Sequence, residues 1–97
     1  MRNYQPKKNN PYKLPHNLYM QMLYLVRDYS RLVENGIRPE ATAAVDGALQ
    51  AVPAEYRRGV WDSIAYCAAY PMDAGEATYK RWRCRFIYNI AKNLKLV

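Results

Sequence analysis

The sequence predicts an all-α protein: a compact four-helix domain behind a flexible basic N-terminal arm, with a helix-turn-helix formed by the last two helices. Three observations carry this. Apolar residues recur at helical spacing in several stretches, and no alternating strand pattern occurs. Proline heads three of those stretches, at Pro15, Pro39 and Pro53, where its fixed φ and missing N–H suit a first helical turn. The chain has 97 residues, 51% of them apolar, which allows one domain with a thin core.

Residues 1–14 hold Asn, Lys, Tyr and Pro without periodicity, and Pro6 and Pro11 block regular helix. They read as a basic arm, either a solubilising tail or a contact element. Residues 15–97 form the domain. In the first helix Leu18, Met22, Leu25, Val26, Tyr29, Leu32 and Val33 make one apolar stripe, and Gly36 ends it with access to a left-handed conformation. Gln21, Arg27, Arg31 and Glu34 are expected on its solvated face. The second helix, near 39–51, carries Ala41, Ala44, Val45, Ala48, Leu49 and Val52, small enough to let a neighbour come close. Gly47 weakens it by about 1 kcal/mol relative to Ala. A third helix begins at Pro53, with Tyr56, Val60, Trp61, Ile64 and Cys67 or Ala68 turned inward. Pro71 then breaks the chain into a turn over Ala69–Met72. Asp73 and Glu76 have the spacing of a capping box for a last helix from about Ala74 to Leu94.

The expected core comprises Leu18, Met22, Leu25, Tyr29, Leu32, Val45, Leu49, Val60, Trp61, Ile64, Trp82, Phe86, Ile90 and Leu94. Cys67 is expected to be buried and inert, and Cys84 to lie near the exposed arc. Two cysteines make no disulfide framework, and a cytoplasmic setting with reduced thiols is expected. The chain start shows no signal-peptide pattern. The apolar segment Leu18–Val26 is too short to span a bilayer.

The net charge of +7 is uneven: +4 over residues 1–14, −1 over 15–53 and +4 over 54–97. Positive potential at both ends favours phosphate-rich partners. On the last helix Tyr79, Trp82, Phe86, Ile87, Ile90 and Leu94 share one arc. Ala74, Thr78, Arg81, Arg85, Tyr88, Lys92 and Lys95 share the opposite one. A helix with rings behind and cations in front suits a groove of double-stranded DNA. Within a helix-turn-helix unit over residues 53–97, Thr78, Arg81 and Arg85 would face base edges. Lys80, Lys92, Arg57 and Arg58 would reach phosphates, with Tyr88 on the same face. Arg83 falls inside the apolar arc. It is expected either to snorkel outward, stacking on Trp82 or Tyr79, or to pair with Asp62 or Asp73.

Other chemistries find little footing. The single histidine, His16, lies far from both cysteines, and no CxxC or HxxxH spacing exists, so no metal or other cofactor is expected. The acids form no obvious pair, the four glycines make no phosphate loop, and no enzyme is expected.

Three segments carry a resemblance: Leu14–Tyr19 with Val26–Leu32, Val52–Val60, and Thr78–Ile87 with Ile90, Ala91 and Leu94. They resemble small phage and prophage transcription regulators of the RinA and ArpU type, which are similar to sigma factor region four. The resemblance implies an all-helical DNA-binding regulator of phage or mobile-element genes. It places Thr78, Lys80, Arg81 and Arg85 on the DNA-facing helix and implies a partner at the promoter, RNA polymerase or another host protein. The short turn between Cys67 and Asp73 lacks the middle helix of a sigma-type reader.

Two alternatives use other features. Tyr19, Tyr24, Tyr66, Tyr70 and Tyr88 would suit a protein-interaction module, or an inhibitor that binds a host protein or nucleoprotein. A basic helix with Trp and Phe on its apolar side could also lie on anionic lipid, but its rings are expected in the core.

Overall fold

Proline sets the helix starts. In a computed structural model that describes residues 10–97, Pro15 caps helix α1 (His16–Arg27), Pro39 opens α3 (Pro39–Gln50) and Pro53 caps α4 (Ala54–Ala65). Helix α2 (Tyr29–Glu34) and helix α5 (Glu76–Asn93) complete five helices, and the described residues hold no strand. Residues 1–9, with Arg2, Lys7 and Lys8 of the expected arm, lie outside the described residues.

The count differs from the expected four because the first stripe is interrupted at Asp28. The chain barely deviates there: the Asp28 N–H donates to the Tyr24 carbonyl and the Leu32 N–H to the Asp28 carbonyl, both helical bonds. Arg31 grips the Asp28 carboxylate with Nε and Nη2 at 2.7 and 2.6 Å. The stripe therefore continues through Leu25, Val26, Tyr29 and Leu32, although Val33 is exposed. Gly36 takes φ +61° as expected, and the Ile37 N–H reaches back to the Leu32 carbonyl to close the end.

Helix α5 is the centre of the fold. It packs on α1, α3 and α4, most extensively on α3. The small residues of α3 permit this: Ala41, Ala44, Val45 and Ala48 are buried, and Asn93 on α5 donates to the Ala44 carbonyl at 3.0 Å. Three neighbours give α5 a wide buried face of Tyr79, Arg83, Cys84, Phe86, Ile87, Ile90 and Ala91. The core contains eight of the expected residues in full: Met22, Leu25, Leu32, Val45, Val60, Ile64, Phe86 and Ile90. Leu18, Tyr29, Leu49, Trp61, Trp82 and Leu94 pack against it half-buried.

Several expectations are corrected. Cys84 is buried and Cys67 exposed, the reverse of the expected pair. Helix α4 ends before Cys67, which turns the chain outward at φ +53°, whereas Cys84 lies on the buried side of α5. Burial pushes the Cys84 thiol pKa up. Arg83 does not snorkel: it is fully buried, and its Nη1 donates to the Tyr19 hydroxyl at 2.8 Å. Tyr19 is thus a core residue and leaves the set of surface tyrosines. Arg27 is not on a solvated face. It crosses from α1 to α4, where its Nε donates to the Ile64 carbonyl at 3.0 Å. Asp73 does not cap α5. Gly75 holds that position, and the Asp73 carboxylate accepts the Tyr79 hydroxyl instead.

The path from α4 to α5 covers residues 66–75, longer than a tight turn over Ala69–Met72. Gly59 fixes its course. A Cβ there would lie 2.5 Å from Tyr79 Cε1 and 2.8 Å from Pro71 Cδ, so the connection folds directly over the α4 backbone. Tyr70 stacks on Tyr79 and Tyr56 meets the same ring edge-on.

Candidate nucleic-acid interface

From Ala77 to the last residue the chain has six basic residues and no acid. Burial of Arg83 removes one of these cations from the surface. The remaining five, Lys80, Arg81, Arg85, Lys92 and Lys95, are the cations that α5 and the residues after it leave at or near the surface.

The expected site residues are placed unequally. Arg81 and Lys92 are exposed and make no ion pair among the described residues. Thr78 and Tyr88 are half-buried. Lys80 is half-buried with Nζ 3.5 Å from the Glu76 carboxylate. Arg85 is half-buried for a specific reason: its guanidinium lies 5.1 Å from the ring centres of both Tyr12 and Trp82. Its Nε is buried without a hydrogen-bond partner.

The arm root supplies the second ring. Residues 10–14 are not a free tail. Asn10 folds back through its carbonyl to the Lys13 N–H at 3.1 Å and through Oδ1 to the Tyr12 N–H at 2.8 Å. Leu14 is buried in the core. Tyr12 is thereby laid on α5, edge-on to Tyr88 at 5.5 Å. It separates two clefts. One is lined by Asn10, Pro11, Ala77, Lys80, Arg81 and Arg85 with Tyr12. The other includes Trp82, Arg85, Tyr88 and Lys92. No acidic side chain lines either.

Arg57 and Arg58 are not brought to this face. They line a separate cleft with Tyr29, Asp46, Trp61 and Asp62. Arg57 spends its donors on the end of α3: Nε on the carbonyls of Leu49 and Val52 at 3.2 and 2.8 Å, and Nη2 on that of Gln50 at 3.0 Å. Leu49 and Gln50 are in the last turn of α3, where a helix end leaves carbonyls without α-helical partners, and Val52 lies just beyond it. Arg58 is exposed, with Nε 3.7 Å from the Asp62 carboxylate.

The sequence reading missed Tyr12 and Asn10. The available signal was Leu14, an apolar residue just before the Pro15 cap, which had to be covered by something. Among the described residues no cluster of His, Cys, Asp and Glu could hold a metal ion, and no helix is long and apolar enough to cross a membrane. No protein-family model, no curated protein and no solved structure matches this chain.

Proposed function

We propose that this protein binds duplex DNA through the outer face of α5 and acts as a transcription regulator of phage or mobile-element origin. The observation that carries the reading is the run of α5 from Ala77 onward, free of acids, with Arg81, Arg85 and Lys92 on clefts that no acidic side chain lines. Cations held on a helix and backed by buried rings suit contact with phosphate oxygens and base edges. The resemblance of Thr78–Ile87 to the RinA and ArpU type supports the same assignment and the regulatory role.

Of the expected contacts, Arg81, Arg85, Tyr88 and Lys92 carry the proposal, with Thr78 and Lys80 at the N-terminal end of the face. Arg57 is assigned to α3 instead. Because residues 66–75 replace a tight turn, the proposal rests on α5 and its flanking clefts, without the docking geometry of a helix-turn-helix.

The test is fluorescence anisotropy with labelled duplexes over a salt series, followed by selection from a random duplex pool. Affinity is expected to fall steeply with salt, by about 0.9 log units per tenfold salt for each phosphate neutralised. The Arg81→Ala, Lys92→Ala double variant is expected to lower that slope by about 2. Unchanged duplex affinity in the double variant removes this face from the interface.

A protein partner is the second reading. Tyr24, Tyr66 and Met72 are exposed at 56, 71 and 100%, and a cleft beside Met72 is lined by Cys67, Tyr70 and Pro71. Retention of a host protein after nuclease treatment, with no duplex binding at low salt, would favour it over DNA.

A further inference from the structure

Residues 10–14, just ahead of the Pro15 cap of α1, bear on the cations of α5. A flexible tail would leave Arg85 to rotate freely on the surface. Instead the turn at residues 10–13 brings Tyr12 to Arg85, whose guanidinium carbon lies over the Tyr12 ring as well as over the Trp82 ring. We propose that Tyr12 is a positioning residue: it clamps Arg85 into a fixed fork between two clefts, so that Arg85 is presented to a nucleic-acid phosphate in a single orientation. This rests on the DNA-binding reading and adds to it a role for the arm root.

Four observations support it. First, the guanidinium meets two rings, with 5.1 Å from its carbon to each ring centre. A planar cation held against two π systems has less rotational freedom before any ligand arrives. Second, Nε is buried without a partner, which leaves the two terminal nitrogens as the pair to form a bidentate contact with an oxyanion. Third, Tyr12 is itself held, by the Asn10 side chain on its N–H, by the edge of Tyr88, and by Leu14 sealed in the core two residues on. Fourth, Arg85 lines both clefts, with Lys80 and Arg81 in one and Lys92 in the other. A cation in this position can bridge two stretches of a phosphate backbone that follows the helix. An arginine that is already ordered gives up less side-chain entropy on binding than a mobile one, so the same contact yields more affinity.

Tyr12 touches no phosphate in this scheme. Its effect runs through Arg85, which makes the two residues non-additive. The experiment measures duplex DNA binding by the full chain over a salt series for the wild type, Tyr12→Ala, Tyr12→Phe, Tyr12→Leu, Arg85→Ala, and Tyr12→Ala with Arg85→Ala. Thermal unfolding of each variant is recorded alongside. Tyr12→Ala is expected to weaken binding about tenfold and to lower the salt slope by about 1, the loss of one phosphate contact. Tyr12→Leu keeps an apolar contact without a π face and is expected to show the same loss, whereas Tyr12→Phe retains wild-type binding. In the Arg85→Ala background, adding Tyr12→Ala is expected to change affinity less than about twofold.

If the wild type binds duplex and Tyr12→Leu binds equally well, the clamp is overturned and the DNA reading stands. An additive double variant also overturns it, because Tyr12 would then act independently of Arg85. If the wild type does not bind duplex at low salt, the DNA reading fails and the clamp fails with it.

Discussion

At the scale of single residues, Gly59 is the glycine whose replacement meets the closest neighbours. Glycine is needed there for close approach, since both the Tyr79 ring and Pro71 lie within the space of a methyl group. Gly59→Ala is expected to destabilise the protein by about 1–3 kcal/mol, the usual cost of overpacking. Chemical denaturation monitored by far-UV circular dichroism would read this, and a midpoint equal to wild type would show that the 66–75 connection can lift off α4. Sequence inspection gave no hint of this glycine, because its constraint comes from residues 12 and 20 positions away. Arg83 teaches a related lesson. Its place on the helical wheel was read correctly as apolar. Its fate depended on Tyr19, a residue of another helix that brings a hydroxyl to the buried guanidinium. Burying a charge requires such polar company.

At the scale of elements, two arginines act as ties at helix ends. Arg27 of α1 reaches a carbonyl at the end of α4, and Arg57 of α4 gathers three carbonyls at the end of α3. Arg57→Ala leaves the Gln50 and Val52 carbonyls without this donor, while Leu49 keeps the Val52 N–H, and is expected to cost about 1–2 kcal/mol. Arg57→Lys is expected to restore little of it, because one ammonium cannot reproduce the fork that spans Leu49, Gln50 and Val52. Thermal unfolding of the two variants checks this. The helices themselves were legible: the stripes at 41–52, 56–64 and 79–94 each became one helix, the stripe at 18–33 became two, and prolines marked the starts of α1, α3 and α4. The expected four became five through a single residue, Asp28, where helical bonding is nearly continuous on both sides. What the stripes could not show is how many neighbours a helix has. Helix α5 meets three, so its buried arc is wider than its apolar residues alone suggest and takes in Arg83 and Cys84.

Across the whole molecule, two tyrosine–carboxylate bonds join separate parts of the chain. Tyr29 on α2 donates to Asp46 on α3, and Tyr79 on α5 donates to Asp73 in the connection. In each case the hydrogen bond to the carboxylate favours the protonated phenol, and the tyrosine pKa is pushed up to about 12. A raised folded-state value means that the stabilisation is complete below the ordinary tyrosine value near 10. It is lost as pH rises through about 12. The thermal midpoint is therefore expected to fall between pH 10 and 12. The Tyr29→Phe, Tyr79→Phe double variant is expected to start lower and fall less over the same interval. Equal slopes would show that these bonds do not carry the alkaline sensitivity.

The sequence by itself determined the all-helical class, the boundaries set by proline and glycine, and the cationic outward arc of the last helix, because periodicity and backbone restriction are local properties. Only the tertiary structure decided which cations remain at the surface and which are consumed. Arg57 and Arg27 went to helix ends, Arg83 went into the core, and Arg85 was held against Tyr12 and Trp82. Each of those outcomes depends on a partner distant in sequence, or on the turn that brings Tyr12 back onto α5. Side-chain charge is written in the chain, but its availability is set by what the fold places beside it.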